Sequence, residues 1–340
     1  MGGLTTRGAG LRVKTAIGGC ALALAVLFLL SLCVGRYYVG LMDCLKILTG
    51  INRADVDHTA QQVVLSLRLP RTVASALIGA ALSVSGLAFQ STFQNKLASP
   101  DILGASSGAC VGAALAILLG LSSALIGLCA LLFGIAAVWL ALRIPQWIHD
   151  HSTLALVLSG MIVSSLMNSF IGILKFIADP NRQLAEITYW IMGSIAGVQW
   201  REILVATIFI GPSLLIMFLL RWRLNILSQG EEAAMALGVS YRQCRLVVIA
   251  CATLLTAASV SMSGSVGWVG LAIPHCSRFM VGEDHRYNMP IAILLGSGFM
   301  ILVDLMARSL SMNEIPLSIV TGCVGTLLYL RLLVKKKARI

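Results

Sequence analysis

Runs of sequence free of any charged side chain constrain this chain more than any other feature. They cover residues 15–35, 72–95, 102–142, 152–174, 203–220, 246–274, 287–303 and 315–330. A helix crossing the hydrocarbon layer needs about 20 apolar residues, and most of these runs approach or exceed that length. The apolar residues stand in unbroken blocks rather than alternating, which selects helices over a β-barrel. Hydrophobic residues make up 58% of the chain and charged ones only 11%, against about 25% charged in a soluble domain. That leaves too little polar surface to coat a globule, and the mean hydropathy of +0.91 agrees. The expected fold class is an all-α polytopic membrane protein, with residues 1–340 forming one transmembrane domain.

The run 102–142 is long enough for two crossings, and Gly120-Leu121-Ser122-Ser123 marks the turn between them. The run 246–274 is broken by Gly264, Gly267 and Gly270, so one full span followed by a short return helix over about 267–279 is expected. Arg7, Arg12 and Lys14 precede the first run, which is too long for a signal-peptide core and is followed by no A-x-A site. A retained first span with a cytoplasmic amino end is therefore expected. The other end carries Arg331, Lys335, Lys336, Lys337 and Arg339, and the positive-inside rule puts both ends on the same side. An even number of crossings follows, about ten. Segment 36–71 is then an outward polar stretch, and 228–240 (SQGEEAAMALGVS) a short cytoplasmic helix that Gly238 would stop.

The net charge of +11 does not point to nucleic acid, because the basic residues sit in short loops between apolar runs. Nine cysteines are scattered without a CxxC pair and read as packing residues. No Gly-Lys dipeptide exists, so no phosphate-binding P-loop exists. HExxH, GxSxG and close-set metal-ligand pairs are absent as well, and His149 with His151 reads as a solvated turn. Asp304 is the acid lying well inside a run, with Arg308 one helical turn away as its natural partner. A proton or sodium relay normally needs more than one such acid. An intramembrane enzyme would need convergent polar residues, which the runs do not supply.

Several motifs occur together: Leu67-Arg68-Leu69-Pro70-Arg71, GAALSVSG at 79–86, and Leu97-Ala98-Ser99-Pro100 leading into LGASSGA at 103–109. ITYWIMGS follows at 187–194, GEEAAMALG at 230–238, VGLAIPHCSR at 269–278 with Asp284-His285-Arg286, and DLMAR at 304–308 followed by EIP. In this order the chain resembles the permeases of the iron–siderophore, haem and cobalamin ABC importers, the type II import family, from about residue 60 to 335. The resemblance implies a non-catalytic subunit in a bacterial or archaeal cytoplasmic membrane, paired with a second permease copy, with both termini cytoplasmic. A separate ATPase subunit would bind ATP, and a binding protein would deliver the cargo from outside. Ferric siderophore is the first expectation for that cargo, with haem or cobalamin as alternatives. No cofactor or metal is implied for the chain itself, and an ion-coupled secondary carrier is the rival reading.

The resemblance also assigns roles. Arg68, Arg71 and Arg308 would accept acidic groups of the binding protein, although outward arginines also anchor helix ends and Arg308 has Asp304 beside it. Gly230, Glu231, Glu232, Ala233, Ala234, Leu237 and Gly238 match the helix that couples to the ATPase. Asn95, Leu97, Ser152 and Thr153 match the cytoplasmic gate, with loop capping as the plainer reading for the polar three. Lys96 stands where the family often has proline. Pro274-His275 reads as structural, the histidine bonding a carbonyl freed beside the proline.

Overall fold

A computed structural model describes residues 3–52, 55–150, 152–311 and 313–337. Helix α1 (Gly3–Cys33) is apolar from Val13 onward and is followed by the short α2 (Leu41–Thr49). Next, α3 (His58–Gln62), a π-helical stretch over Val63–Arg68 and α4 (Leu69–Thr92) run on as one continuous rod. The chain continues through a 3₁₀ turn (Pro100–Leu103) into α5 (Ala105–Leu118), α6 (Ser123–Trp147) and α7 (Thr153–Ile177). After α8 (Gln183–Met192) and α9 (Trp200–Leu219) come two short helices, α10 (Arg221–Leu227) and α11 (Glu231–Ala236). The chain closes with α12 (Tyr241–Ser263), α13 (Val269–Val281), α14 (His285–Ser309) and α15 (Leu317–Lys337).

Among the described residues, 7 helices are long and apolar enough to cross a membrane. Helix α5 and the apolar part of α15 (Leu317–Arg331) are shorter apolar helices, whereas the return helix α13 is not among them, so nine apolar segments stand among the described residues where about ten crossings were expected. The two sequence breaks fall as predicted. Helix α5 ends at Leu118 before the turn at Gly120, and α12 ends at Ser263 before the return helix α13. Gly264 makes the second break possible: its φ is +67°, and a Cβ there would stand 2.2 Å from the Trp190 carbonyl oxygen.

One expectation changes in form: segment 36–71, expected as an outward polar stretch, is helical from His58 and runs on without a break into the second crossing helix, in a rod of 35 residues that is longer than a single crossing needs. Pro70 has no N–H to continue an α-helical ladder, and its ring crowds the preceding turn. The widened π turn over Val63–Arg68 absorbs that defect without ending the helix.

Helix α4 is the axis of the fold. Its most apolar window is 83% buried inside the protein, and it packs against α14, α12 and α13. Small residues allow this. A Cβ on Gly79 would lie 2.0 Å from the Gly296 carbonyl oxygen of α14, and one on Gly86 would lie 2.0 Å from that of Gly270 in α13. Without a hydrophobic drive between helices in lipid, such backbone approach is what dispersion and polar contacts require. The serines of α4 are satisfied locally or across the contact: Ser83 donates to Gly79 O (2.7 Å), and Ser85 donates to Ala252 O on α12 (2.9 Å).

Gly79→Ala should therefore lower stability by about 1–3 kcal/mol, since neither backbone can yield. Gly298→Ala in α14, whose nearest neighbour would be a flexible Leu27 methyl at 3.5 Å, should be tolerated. Thermal unfolding of the two purified variants in one detergent checks the contrast.

Candidate functional site

Three features of the fold carry chemistry. The first closes the end of the bundle opposite α11. Asp304 is wholly buried, and Arg71 Nε approaches its Oδ1 at 2.5 Å. The other arm of Arg71 donates to Glu314 Oε1 at 2.7 Å, and Arg308 Nε lies 3.5 Å from Asp304 Oδ2. Arg308 also donates to the Ser31 hydroxyl (2.9 Å) and to the Ser31 carbonyl. Arg68 donates to three backbone carbonyls, Leu32 (2.7 Å), Cys33 (2.9 Å) and Tyr37. Gly35 is required beside it, as a Cβ there would meet the guanidinium at 2.5 Å.

The expectation of free outward donors at Arg68, Arg71 and Arg308 is thus corrected. They are only 5%, 8% and 8% exposed. Arg68 and Arg71 sit on the inner face of a helical rod packed against α1 and α14. A cation in that position must be matched by acceptors. Asp304 does pair with Arg308, but Arg71 is its closer partner. Only Glu314 in this cluster remains partly accessible, its side chain 28% exposed.

The second feature is the free face of α7. Its window is only 28% buried, yet Ser165, Asn168 and Ser169 are exposed there beside Ser164. These side chains border a cleft of about 680 Å³ that also receives Ser99 and Asp101. The Ser164 hydroxyl has no hydrogen-bond partner among the described residues. Asp101 is placed by the 3₁₀ turn, whose Ile102 carbonyl lies against Gly160 of α7; a Cβ there would be 2.1 Å away. Its carboxylate accepts from the Ser106 hydroxyl and has no cation beside it among the described ion pairs. Sequence reasoning passed over Asp101 because it borders the uncharged run rather than interrupting it. The usable signal was an acid between Pro100 and the left-handed Gly104 (φ +81°).

The third feature lies at the α11 end. Helix α11 is shorter than expected, spanning Glu231–Ala236. Gly230 enters it at φ +101° and Gly238 leaves it at φ +69°, so Gly238 has the stopping role expected of it and Gly230 takes the matching place at the start. Glu231, Glu232 and Leu237 are exposed and Ala233 is half-buried. Ala234 is fully buried against its own chain, so it is corrected from a partner-facing residue to an internal one. Met235, 63% exposed, takes the outward place that the sequence reading gave to Ala234.

Among the described residues, no hydrogen bond or ion pair joins Asn95 or Leu97 to Ser152 or Thr153. The Asn95 side chain accepts from Leu97 N (2.9 Å), which folds its own loop. Ser152 caps α7 by accepting from Ala155 N (3.1 Å), and Thr153 opens that helix. Leu97 is exposed. Lys96 pairs with Glu283 in the turn before α14, and that contact holds the Glu283 carboxyl below its ordinary range against the opposing effect of burial. Behind it, Ser91 bonds His285 Nε2 (2.7 Å), His285 Nδ1 faces Asn225 Oδ1 (2.8 Å), and Asn225 donates to Asp284 (2.8 Å). Burial penalises the Asp284 carboxylate, but bonds from Arg286 and Asn225 outweigh it and hold its pKa down to about 2. His275 Nδ1 lies 3.0 Å from Leu271 O and its ring meets Tyr329 edge-on. The carbonyl that Pro274 strands, Gly270 O, accepts from Gln90 instead (3.3 Å). His151 lies outside the described residues.

Residues 23–335 match the FecCD transport family. The molybdate import permease of Haemophilus influenzae is 39% identical over 94% of this chain and 95% of its own length. A probable iron chelatin transport permease of Helicobacter pylori is 32% identical, covering 93% of this chain and 97% of that one. The hemin transport permease of Yersinia pestis is 35% identical over 80% and 83% of the two chains. Among solved structures, a metal-chelate type ABC transporter in an inward-facing conformation superposes with a TM-score of 0.86 at 37% identity, covering 95% of this chain and 99% of that one.

Removing the shared anion should expose how much the arginine cluster matters. Asp304→Leu leaves Arg308 with a buried charge lacking a counter-ion and Arg71 with Glu314 alone, a loss of about 3–5 kcal/mol. The expected readout is a sharply lower unfolding temperature and poor membrane yield, compared with little change for Ser309→Ala at the exposed end of the same helix.

Proposed function

The chain belongs to the FecCD transport family, and from that premise we propose that it is the permease of an ABC importer that passes a metal chelate between two copies of itself. The observation that carries this reading is the polar face of α7. Hydroxyl and amide groups exposed along a membrane-crossing helix are costly against hydrocarbon, so that face belongs against water or a second polar surface. A second copy facing the first across α7 would enclose such a path. The chain contains no P-loop, and its driving force then comes from a separate ATPase seated on α11. Cargo would be handed over from a binding protein at the opposite, outward end. Both termini lie in the cytoplasm of a bacterial or archaeal cell on this reading.

For cargo, ferric siderophore remains our first choice. Support comes from the Helicobacter relative and from the chemistry of the cleft, which presents Asp101 and neutral hydroxyls and no cation. A lining of that kind favours neutral or cationic chelates. The molybdate relative favours a second reading, a free oxyanion. Competition in proteoliposomes loaded with binding protein and ATPase separates the two. Excess molybdate should leave ferric-siderophore uptake unchanged, and uptake should stop without ATP. ATP-independent uptake driven by an ion gradient would instead establish a secondary carrier.

Two substitutions test the partner surfaces. Glu231→Lys with Glu232→Lys should leave the protein in the membrane but abolish co-purification of the ATPase, because both acids are exposed on α11. At the other end, a docking carboxylate would have to compete with Glu314 for Arg71. Glu314→Gln should therefore tighten binding-protein affinity by up to about tenfold, or about 1.4 kcal/mol, as measured on the reconstituted transporter. An unchanged affinity would remove Arg71 from the landing site.

A further inference from the structure

A cavity of about 260 Å³ lies where the end of α6 and the start of α12 meet α11. Its inner wall is apolar, built by Leu142, Pro145, Leu156 and Ile249, whereas Arg242, Arg245 and Gln146 stand around it. Arg245 is the anomaly. Its Nε and Nη2 are shut off from solvent and have no hydrogen-bond partner among the described residues. Its one aromatic contact is the Tyr241 ring, 6.0 Å from the guanidinium carbon. A guanidinium stays charged and offers five donors in a fixed fork. Buried donors of that kind are matched in native proteins, and an orphan points to a missing anion. Glu231 borders the same cavity, but no ion pair joins it to either arginine among the described residues.

Depth in the membrane narrows the choice of anion. The uncharged run of α12 begins at Leu246 and that of α6 ends at Leu142, so Arg242 and Arg245 stand just outside the apolar runs, where hydrocarbon gives way to headgroups. Trp139 and Trp147 are exposed close by at 55% and 63%, and Arg143 lies over the Trp139 ring at 5.0 Å. Tryptophan and arginine at this level are the usual furniture of a membrane interface. A basic pocket between crossing helices, with an apolar wall below it, suits a phosphate group carrying acyl chains. We infer that this cavity binds the phosphate of an anionic phospholipid through Arg242 and Arg245, with its acyl chains against the exposed faces of Trp139 and Leu246. The phosphodiester would supply the acceptors that Arg245 lacks, and Gln146 and Ser152 would complete its contacts.

The test uses the full-length protein purified in mild detergent and exposed to phosphatidylglycerol, phosphatidylcholine or inorganic phosphate. Native mass spectrometry and thermal unfolding are the two readouts. The expected result is retention of phosphatidylglycerol with a raised unfolding temperature, and no such effect from phosphatidylcholine. Inorganic phosphate at millimolar concentration should not reproduce the shift; if it does so fully, a free anion rather than a lipid is the ligand and the proposal fails. Arg242→Gln, at an exposed position where folding is not at risk, should lower phosphatidylglycerol occupancy several-fold. Arg245→Gln should lower it at least about tenfold. Equal retention of both lipids, or retention undiminished in both variants, would overturn the site. Glu231→Gln supplies the remaining arm. If lipid binds only once that carboxylate is gone, Glu231 is itself the anion for Arg245 and the cavity is not a lipid site.

Discussion

The contact on which the rest of the structure depends is the backbone-to-backbone approach of α4 to its neighbours. Gly79 meets Gly296, and Gly86 meets Gly270, at separations that exclude any side chain. In water, burial of large apolar groups would hold such helices together. In lipid that drive is absent, and close dispersion contact with hydroxyl-to-carbonyl bonds must replace it. Helix α4 supplies both, with glycines and alanines at the crossings and serines bonded either to their own preceding turn or to α12. Once α4 and the π turn that leads into it are enclosed in this way, the charges they carry are enclosed too. Arg71 therefore needs Asp304 and Glu314, and Arg68 needs the carbonyls at the end of α1.

Much of this fold was legible as a succession of uncharged runs, and both internal breaks were visible as glycines. What the runs concealed was where a span begins when it contains charge. Arg68 and Arg71 read as the edge of the membrane because charge usually marks it, but their cost is met by partners far away in sequence: Leu32 to Tyr37 for Arg68, and Asp304 with Glu314 for Arg71. No local pattern encodes those distances. The polar face of α7 was hidden for a different reason. Ser164, Ser165, Asn168 and Ser169 are uncharged and do not interrupt an apolar run, so the helix reads as ordinary lipid-facing sequence until its exposure is seen.

The site residues divide along the same line. Positions whose role is set by their own backbone could be read directly, as with Gly238 at the end of α11. Ala234 could not, because which face of a six-residue helix turns inward depends on what α10 and α12 place beneath it. Nor could Asp101, whose position depends on the close contact of the 3₁₀ turn with Gly160. Helix α8, which carries most of the ITYWIMGS motif, was not foreseen as an element at all. It is too short to register as a crossing and too apolar to register as a loop.

The two ends of the molecule differ in how their charges are held, and that difference bears on movement. Around Asp304 the ion pairs are buried, interlocked and tied to the backbone of α1, so that end is rigid unless Glu314 lets go. At the α11 end, Lys96 and Glu283 are 58% and 70% exposed, and an ion pair so open to water contributes only about 0–1 kcal/mol. Lys96 therefore does not lock its loop to the turn before α14; it biases the loop toward one arrangement at little cost to the others. A proline in its place would restrict the loop through its backbone instead. The loop that carries Asn95 and Leu97 is thus joined by a weak contact to the turn whose next residue, Asp284, bonds Asn225 of α10. Helix α10 leads directly into α11. A displacement of α11 would reach the loop through that short polar chain, while the glycine contacts along α4 hold the body of the bundle in place.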